Sequence, residues 1–344
     1  MTETVTVPRL AGSAVPKPGR SFRLPAETGV VLMLAVLIGL LGLLHRPFLE
    51  PASLVALLEQ AALPGLLAIG MVFVLAVRGI DLSVAAVFHI TALLAALLMS
   101  AGVDPWLSAV AGVALGAGIG LVNGLLALAL RVPVLIVTLG TWWMIDGLSL
   151  VLGKGQAIAP PAGDSSFFAT LSGKAFGIVP TTVVIFVLLA LALQVVLQRT
   201  RFGYRVQATG SNPEAAAHAG IATGKVRLTA LALMGAVAGL AGVVHLGAQG
   251  SISPTDGNGF ALLAIAATLL GGTRLSGGHG SVIGAAIGML VIQAVLSGIA
   301  LLGIDATWTS FAVGALLVLA LAVDRLGRTW RGWRAERRQN GARG

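Results

Sequence analysis

Few residues in this sequence could do chemistry. Five histidines, 13 acidic and 22 basic residues are spread over 344 positions, and there is no cysteine. Thiolate metal sites, disulfides and a cysteine nucleophile are therefore excluded. No H-E-x-x-H or G-x-S-x-G occurs, so zinc-hydrolase and serine-hydrolase chemistry finds no support. No nucleotide-binding G-x-x-x-x-G-K-[ST] occurs either. "GIATGKV" at 220–226 comes nearest, with the wrong spacing and Val226 where a hydroxyl is needed. "GGTRLSGGHGS" at 271–281, which holds Gly271, Gly272 and Arg274, follows an apolar run rather than a strand and has no lysine. It reads as tight turns with close backbone packing, not as a phosphate cradle. What remains is a set of polar or amphipathic residues inside apolar runs: His89, Asn123, Trp142, Asp146 and Gln293. Such side chains are costly in hydrocarbon and tend to face protein interior or water. Hydrogen bonding between helices is the simplest role for Asn123 and Gln293. For His89 and Asp146, lining an aqueous pathway is the competing role. With His245 they are too scattered to spell out a proton relay. The chain is expected to break no covalent bond and to hold no metal or cofactor.

The elements that carry these residues are membrane spans. The chain is 57% hydrophobic and 10% charged, against roughly 25% charged in soluble domains, and its mean hydropathy is +0.96. Ten apolar segments, near 29–44, 53–77, 82–100, 106–130, 132–152, 180–198, 226–247, 259–271, 281–302 and 307–323, approach the length of a bilayer crossing. The short run 259–271 reads as a half-span or as one extending into the neighbouring glycines. With the N-terminus placed in the cytoplasm, alternation puts 19 lysines and arginines inside and 3 outside, as the positive-inside rule requires. The fold expected is all-α: about ten transmembrane helices in two inverted five-helix halves, both termini cytoplasmic. Residues 1–28 form a polar, Pro/Gly-rich tail and 324–344 a basic tail. The net charge of +9 is then a membrane-surface feature, not a nucleic-acid footprint. Residues 153–179 make an extracytoplasmic loop with one short element, and 199–227 a cytoplasmic one. The transmembrane domain as a whole is 29–323.

That cytoplasmic loop contains "SNPEAAAHAGI" at 211–221. Ser211 and Glu214 have capping-box spacing, Pro213 suits a first helical turn, Ala215 and Ala216 favour helix, and Gly220 suits the C-terminal cap. A helix of about seven residues is marginal alone in water, so it is expected to lean on a partner surface, with His218 on its exposed face. Upstream, Asp81 and Ser83 follow Gly79 at the inner end of the second segment. Asp-Leu-Ser there can cap the third span or serve a gate, and Arg78 reads as an interfacial residue that snorkels.

Four stretches together resemble the ribose/xylose/arabinose/rhamnose-type permeases of bacterial ABC importers: "RGIDLSV" at 78–84, "VPVLIVTLGT" at 132–141, "GSNPEAAAHAGI" at 210–221 and "LLAIAATLLGGTRLSGGHGSVIGAAIG" at 262–288. The resemblance runs from about residue 50 to 324. It implies a monosaccharide permease of the bacterial plasma (inner) membrane that dimerises with a second copy or a paralogue. It further implies a separate ABC ATPase that uses ATP and Mg, and an extracytoplasmic sugar-binding protein that delivers cargo. Residues 212–221 then correspond to the coupling helix that docks on the ATPase. The sequence departs from the family pattern at Arg78 and Ala85, where glycines are common, at Phe88 and His89, where small or aliphatic residues are, and at Asp146, often arginine. These positions bear on cargo identity. A nucleoside, inositol or sugar-derived signal through the same machine, or an ion-coupled secondary carrier, are the alternatives.

Overall fold

Apolar runs bounded by glycine, proline and charge fold into helices at close to the expected borders. The computed structural model describes residues 27–161, 165–305, 307–309, 311–315 and 318. The helices are α1 (Thr28–Leu44), α2 (Pro51–Ala76), α3 (Val84–Ser100), α4 (Pro105–Leu130), α5 (Val134–Leu152), α6 (Ser166–Leu171), α7 (Thr181–Arg199), α8 (Arg201–Ser211), α9 (Pro213–His218), α10 (Thr223–Gln249), α11 (Phe260–Leu270) and α12 (Val282–Leu301). Among the described residues, α2, α4, α5, α7, α10 and α12 are long and apolar enough to cross a membrane, and α1, α3 and α11 are shorter apolar helices. The tails 1–26 and 324–344 and much of the segment expected at 307–323 lie outside the described residues; 308–309 and 311–315 are helical.

α2 and α10 form the centre, with 78% and 72% of their apolar windows buried, whereas α5 at 22% lies at the periphery. Small residues make the central contacts. Gly116 and Gly120 of α4 face Gly235 of α10 so closely that a Cβ on Gly120 would run into the carbonyl of Leu231, and one on Gly235 into that of Gly116. In lipid, where apolar surface alone gives little drive to associate, such backbone contact is a main source of helix adhesion.

The connection between α5 and α7 holds more than one short element. Beside α6 it forms a two-stranded antiparallel hairpin, β1 (Lys174–Ala175) with β2 (Val179–Pro180). Ile158 of the same loop bridges to Ile252. α10 ends at Gly250 in the left-handed conformation, and residues 251–259 run irregularly back among the helices. There Gly257, at φ 82°, lies against the Phe88 ring. Irregular backbone at this depth persists where protein covers it, here Phe88, which also packs edge-on against Phe260. α11, of 11 residues, completes what is a half-span.

The stretch 199–227, read from sequence as one polar loop with a single helix, holds two. α8 was missed because only Phe202 and Val206 mark its inner face. It is started by Thr200, whose hydroxyl accepts from Gly203 N, and it buries Gly203, Val206, Thr209 and Gly210. The capping box is also corrected. Ser211 is the last residue of α8, and its hydroxyl lies 3.4 Å from Gly278 O. Asn212 caps α9 instead: its side-chain oxygen accepts from Glu214 N and Ala215 N at 3.1 and 3.0 Å. Pro213 opens the helix, and Gly220, left-handed at φ 81°, closes it. The closing bonds, Ile221 N to Ala216 O and Gly220 N to Ala217 O, are those of a Schellman motif.

Candidate functional site: a polar cavity and the loop knot beneath it

α5 aligns the first group of candidate residues. Leu135, Thr138, Trp142 and Asp146 recur at helical spacing on one face. Opposite Trp142 and Asp146 stand Leu82, Ala85 and His89, at and after the start of α3, and the re-entrant segment with Asp256 and Asn258. Together they line a cavity of about 190 Å³. The fold thus gathers His89, Trp142 and Asp146 around one cavity. It adds two residues that sequence reading missed, Asp256 and Asn258. "SPTDGNG" at 253–259 reads as an ordinary turn, and nothing local says that it folds back to the level of α3.

Asp256 is held in position from two sides. Its Oδ2 accepts from Ser253 N at 2.7 Å and lies 3.0 Å from His245 Nε2. His245, unpaired in sequence, is therefore an anchor for the re-entrant segment, its ring 5.3 Å from Phe88. Phe88 places the segment and its neighbour His89 lines the cavity. Two carboxylates, an imidazole, an amide and an indole give the cavity acceptors, donors and an aromatic face, and among the described residues no lysine or arginine lines it.

The other two candidates lie elsewhere. Asn123 is fully buried. It donates to Ser83 Oγ at 3.0 Å and accepts from Thr141 Oγ1 at 2.7 Å, which fits its reading as an interhelical link. Gln293 donates to Gln60 Oε1 at 2.8 Å, on a separate face formed by α2 and α12.

The second group lies where α2, α8 and α11 end and α3 and α12 begin. Here the reading of Asp81 needs revision. Ser83 is the N-cap residue of α3, and the Asp81 carboxylate accepts from Ser83 N at 2.8 Å and from Ser83 Oγ at 2.6 Å, one residue short of the first helical N–H group. Arg78 is exposed, as an interfacial residue would be, and it is also tied into the fold. It sits at φ 64° and closes α2 through Arg78 N to Leu75 O and Gly79 N to Val74 O, in the position where a helix end favours glycine. A left-handed non-glycine residue costs on the order of 1 kcal/mol. Its guanidinium donates to Gly210 O at 2.6 Å and Ser211 O at 2.8 Å, satisfying two end carbonyls of α8. The glycine-rich turn completes the knot: Gly278 N donates to Ala76 O at 2.9 Å, and Gly277 lies against the Arg78 side chain. Gly271 abuts Gly284, Gly272 is left-handed at φ 89°, and Arg274 N bonds His279 O. This is the close packing expected of 271–281.

α9 projects from this knot. Ala216 is buried, while Glu214, Ala215, Ala217 and His218 are exposed, so a six-residue helix presents two alanines, a glutamate and a histidine outward.

Comparison with known proteins decides what such an assembly belongs to. Residues 53–321 match the family described as branched-chain amino acid transport system / permease component. The chain belongs to this permease family. It is 37% identical to the ribose import permease protein of Bacillus subtilis over 299 residues, 87% of this chain and 92% of the relative. It is 32% identical to the L-arabinose ABC transporter permease protein of Azospirillum brasilense over 316 residues, 91% of each. Over 298 residues, 87% of this chain and 82% of the relative, it is 34% identical to the autoinducer 2 import system permease protein of Yersinia enterocolitica. No solved structure matches the chain. The permease is thus a multi-pass, all-α membrane protein of the ABC sugar-importer kind. Its relatives are transport permeases, not enzymes.

Proposed function

We propose that this permease forms the pathway by which a neutral monosaccharide crosses the bacterial inner membrane, driven by ATP hydrolysis in a separate subunit. The observation that carries the reading is the cavity between α3, α5 and the re-entrant segment. Carboxylates accept hydrogen bonds from vicinal hydroxyls, Asn258 and His89 supply further polar contacts, and Trp142 offers a face to the C–H side of a sugar ring. Few contacts in a small cavity mean weak binding, which a conduit needs so that cargo moves on. The family's description names branched-chain amino acids, but a zwitterion needs a counter-charge for its carboxylate. Asp146 and Asp256 repel that group, and among the described residues no lysine or arginine lines the cavity.

α9 is the coupling helix in this reading. Its exposed alanines and its marginal length fit a helix stabilised against the ATPase, and Asn212, Pro213 and Gly220 set its ends. Ten helices in two inverted halves, both termini cytoplasmic, a dimer with a second copy or paralogue, and delivery by an extracytoplasmic binding protein complete the arrangement. This chain holds no nucleotide; ATP and Mg belong to the partner.

The test is reconstitution in liposomes with the cognate ATPase and binding protein. Uptake of a monosaccharide is expected only with ATP and both partners present. Uptake by this chain alone down an ion gradient overturns the reading. Titration of the binding protein with sugars, a nucleoside, inositol and leucine identifies the cargo class.

A further inference from the structure

A second cavity, of about 330 Å³, lies on the α9 side of the first. Ile80, Val134 and Leu135 line it, whereas Leu82 and Trp142 line the other. Between them, on the same face of α5, stands Thr138, fully buried. Its hydroxyl accepts from Leu82 N at 3.2 Å and lies 3.3 Å from Ile80 O. One threonine therefore accepts from Leu82 N, and its one hydroxyl hydrogen is shared between Ile80 O and Leu135 O, 3.2 Å away on its own helix.

A second tie lies one helical turn further along α5. Thr141 reaches Asn123, Asn123 reaches Ser83, and Ser83 reaches Asp81. Both ties run from α5, a peripheral helix, to the turn 78–83. The other end of that turn is Arg78, fixed to the last carbonyls of α8 at the root of α9.

We propose that Thr138 is the pin of a gate between two cavities stacked along α5, and that the turn 78–83, gripped by Arg78 at the root of α9, is the lever that draws the pin. An arginine in a left-handed slot suited to glycine fits this role. Its side chain is what the position supplies, and both of its bonds go to the coupling loop. When α9 shifts, Gly210 and Ser211 carry Arg78 with them. The turn then rotates Ile80 and Leu82 away from Thr138, and the ceiling of one cavity becomes continuous with the floor of the other. Arg78 and Thr138 are positioning residues and need touch no cargo.

The inference rests on the reading of α9 as the coupling helix, and two arms separate the one from the other. The first needs no ATPase. The chain has no cysteine, so single thiols can be placed at Ala85, beside the outer cavity, and at Leu135, beside the inner one. In sealed vesicles of the full chain, each is expected to react with a charged thiol reagent from one face only. Thr138→Val is expected to raise labelling of each thiol from the wrong face roughly five- to tenfold, the scale of one lost hydrogen bond. Thr138→Ser, which keeps the hydroxyl, restores the one-sided pattern. Labelling from both faces in the parent, or identical labelling of the valine and serine variants, overturns the gate. The second arm uses the reconstituted importer. Arg78→Ala is expected to keep ATP hydrolysis near the parent rate while cargo moved per ATP falls about tenfold, with Arg78→Lys intermediate because an ammonium replaces a two-pronged donor. An Arg78→Ala variant with parental cargo per ATP overturns the lever. If the parent itself shows no ATP-driven uptake, it is the proposed function that fails, and the first arm still judges the gate.

Discussion

Asn212 carries more of α9 than any other single side chain, because one amide oxygen satisfies two of the helix's free N–H groups. Asn212→Ala is expected to cost about 1 kcal/mol of local stability. In a six-residue helix that exceeds what propensity can restore. Amide exchange over 214–220 should quicken several-fold while the rate in α10 stays fixed. Ser211→Ala, the substitution suggested by the capping-box spacing, should leave that exchange almost unchanged, since its hydroxyl is turned toward Gly278. In the cavity, Trp142→Ala and Asp256→Asn test different contributions. The first removes the aromatic face and is expected to slow transport several-fold. The second keeps the shape, but it weakens the pairing with His245 that holds the re-entrant segment, and should loosen residues 253–259 in hydrogen exchange as well as slow transport.

Adhesion between α4 and α10 is a property of the helix pair, not of either residue alone. Gly120→Val puts a branched side chain where there is no room even for a Cβ. Such overpacking costs typically 1–3 kcal/mol, and it should lower the melting temperature in detergent by several degrees, whereas Gly118→Val, at a position open on all sides, should not. The elements were legible in the sequence to different degrees, for physical reasons. Long apolar runs fixed α2, α4, α5, α7, α10 and α12, because a bilayer admits few other solutions. α8 was not legible, since its buried face is made largely of glycine and threonine and its partner surface comes from α7, α10 and the end of α2. The half-span α11 was visible as a short run. What stands before it was not, because the depth of 251–259 depends on the distant contacts Phe88–Gly257 and His245–Asp256. His89, Trp142 and Asp146 were found by asking which polar groups sit in hydrocarbon. The tether of Arg78 was not legible, since its end groups reach carbonyls 132 and 133 residues away.

At the scale of the whole molecule, the charge asymmetry and the helix ends make one joint claim. The basic residues Arg78, Arg131, Arg199, Arg201, Lys225, Arg227 and Arg274 fall on connections or helix ends at the side of the bundle that carries α9, with Arg205 within the short α8 beside it, and Lys154 and Lys174 fall on the side of the α6 loop. The positive-inside rule assigns the first side to the cytoplasm, and α9 can meet an ATPase only there. Because no native cysteine interferes, two thiols decide it: one at Ala217, exposed on α9, and one at Phe176, the exposed tip of the outer hairpin. In intact cells a membrane-impermeant maleimide should label the thiol at 176 and spare the one at 217. In inverted vesicles the preference should reverse. Labelling at 217 in intact cells would invert the bundle and with it the coupling role of α9, because the only nucleotide pool able to drive it lies on the opposite face.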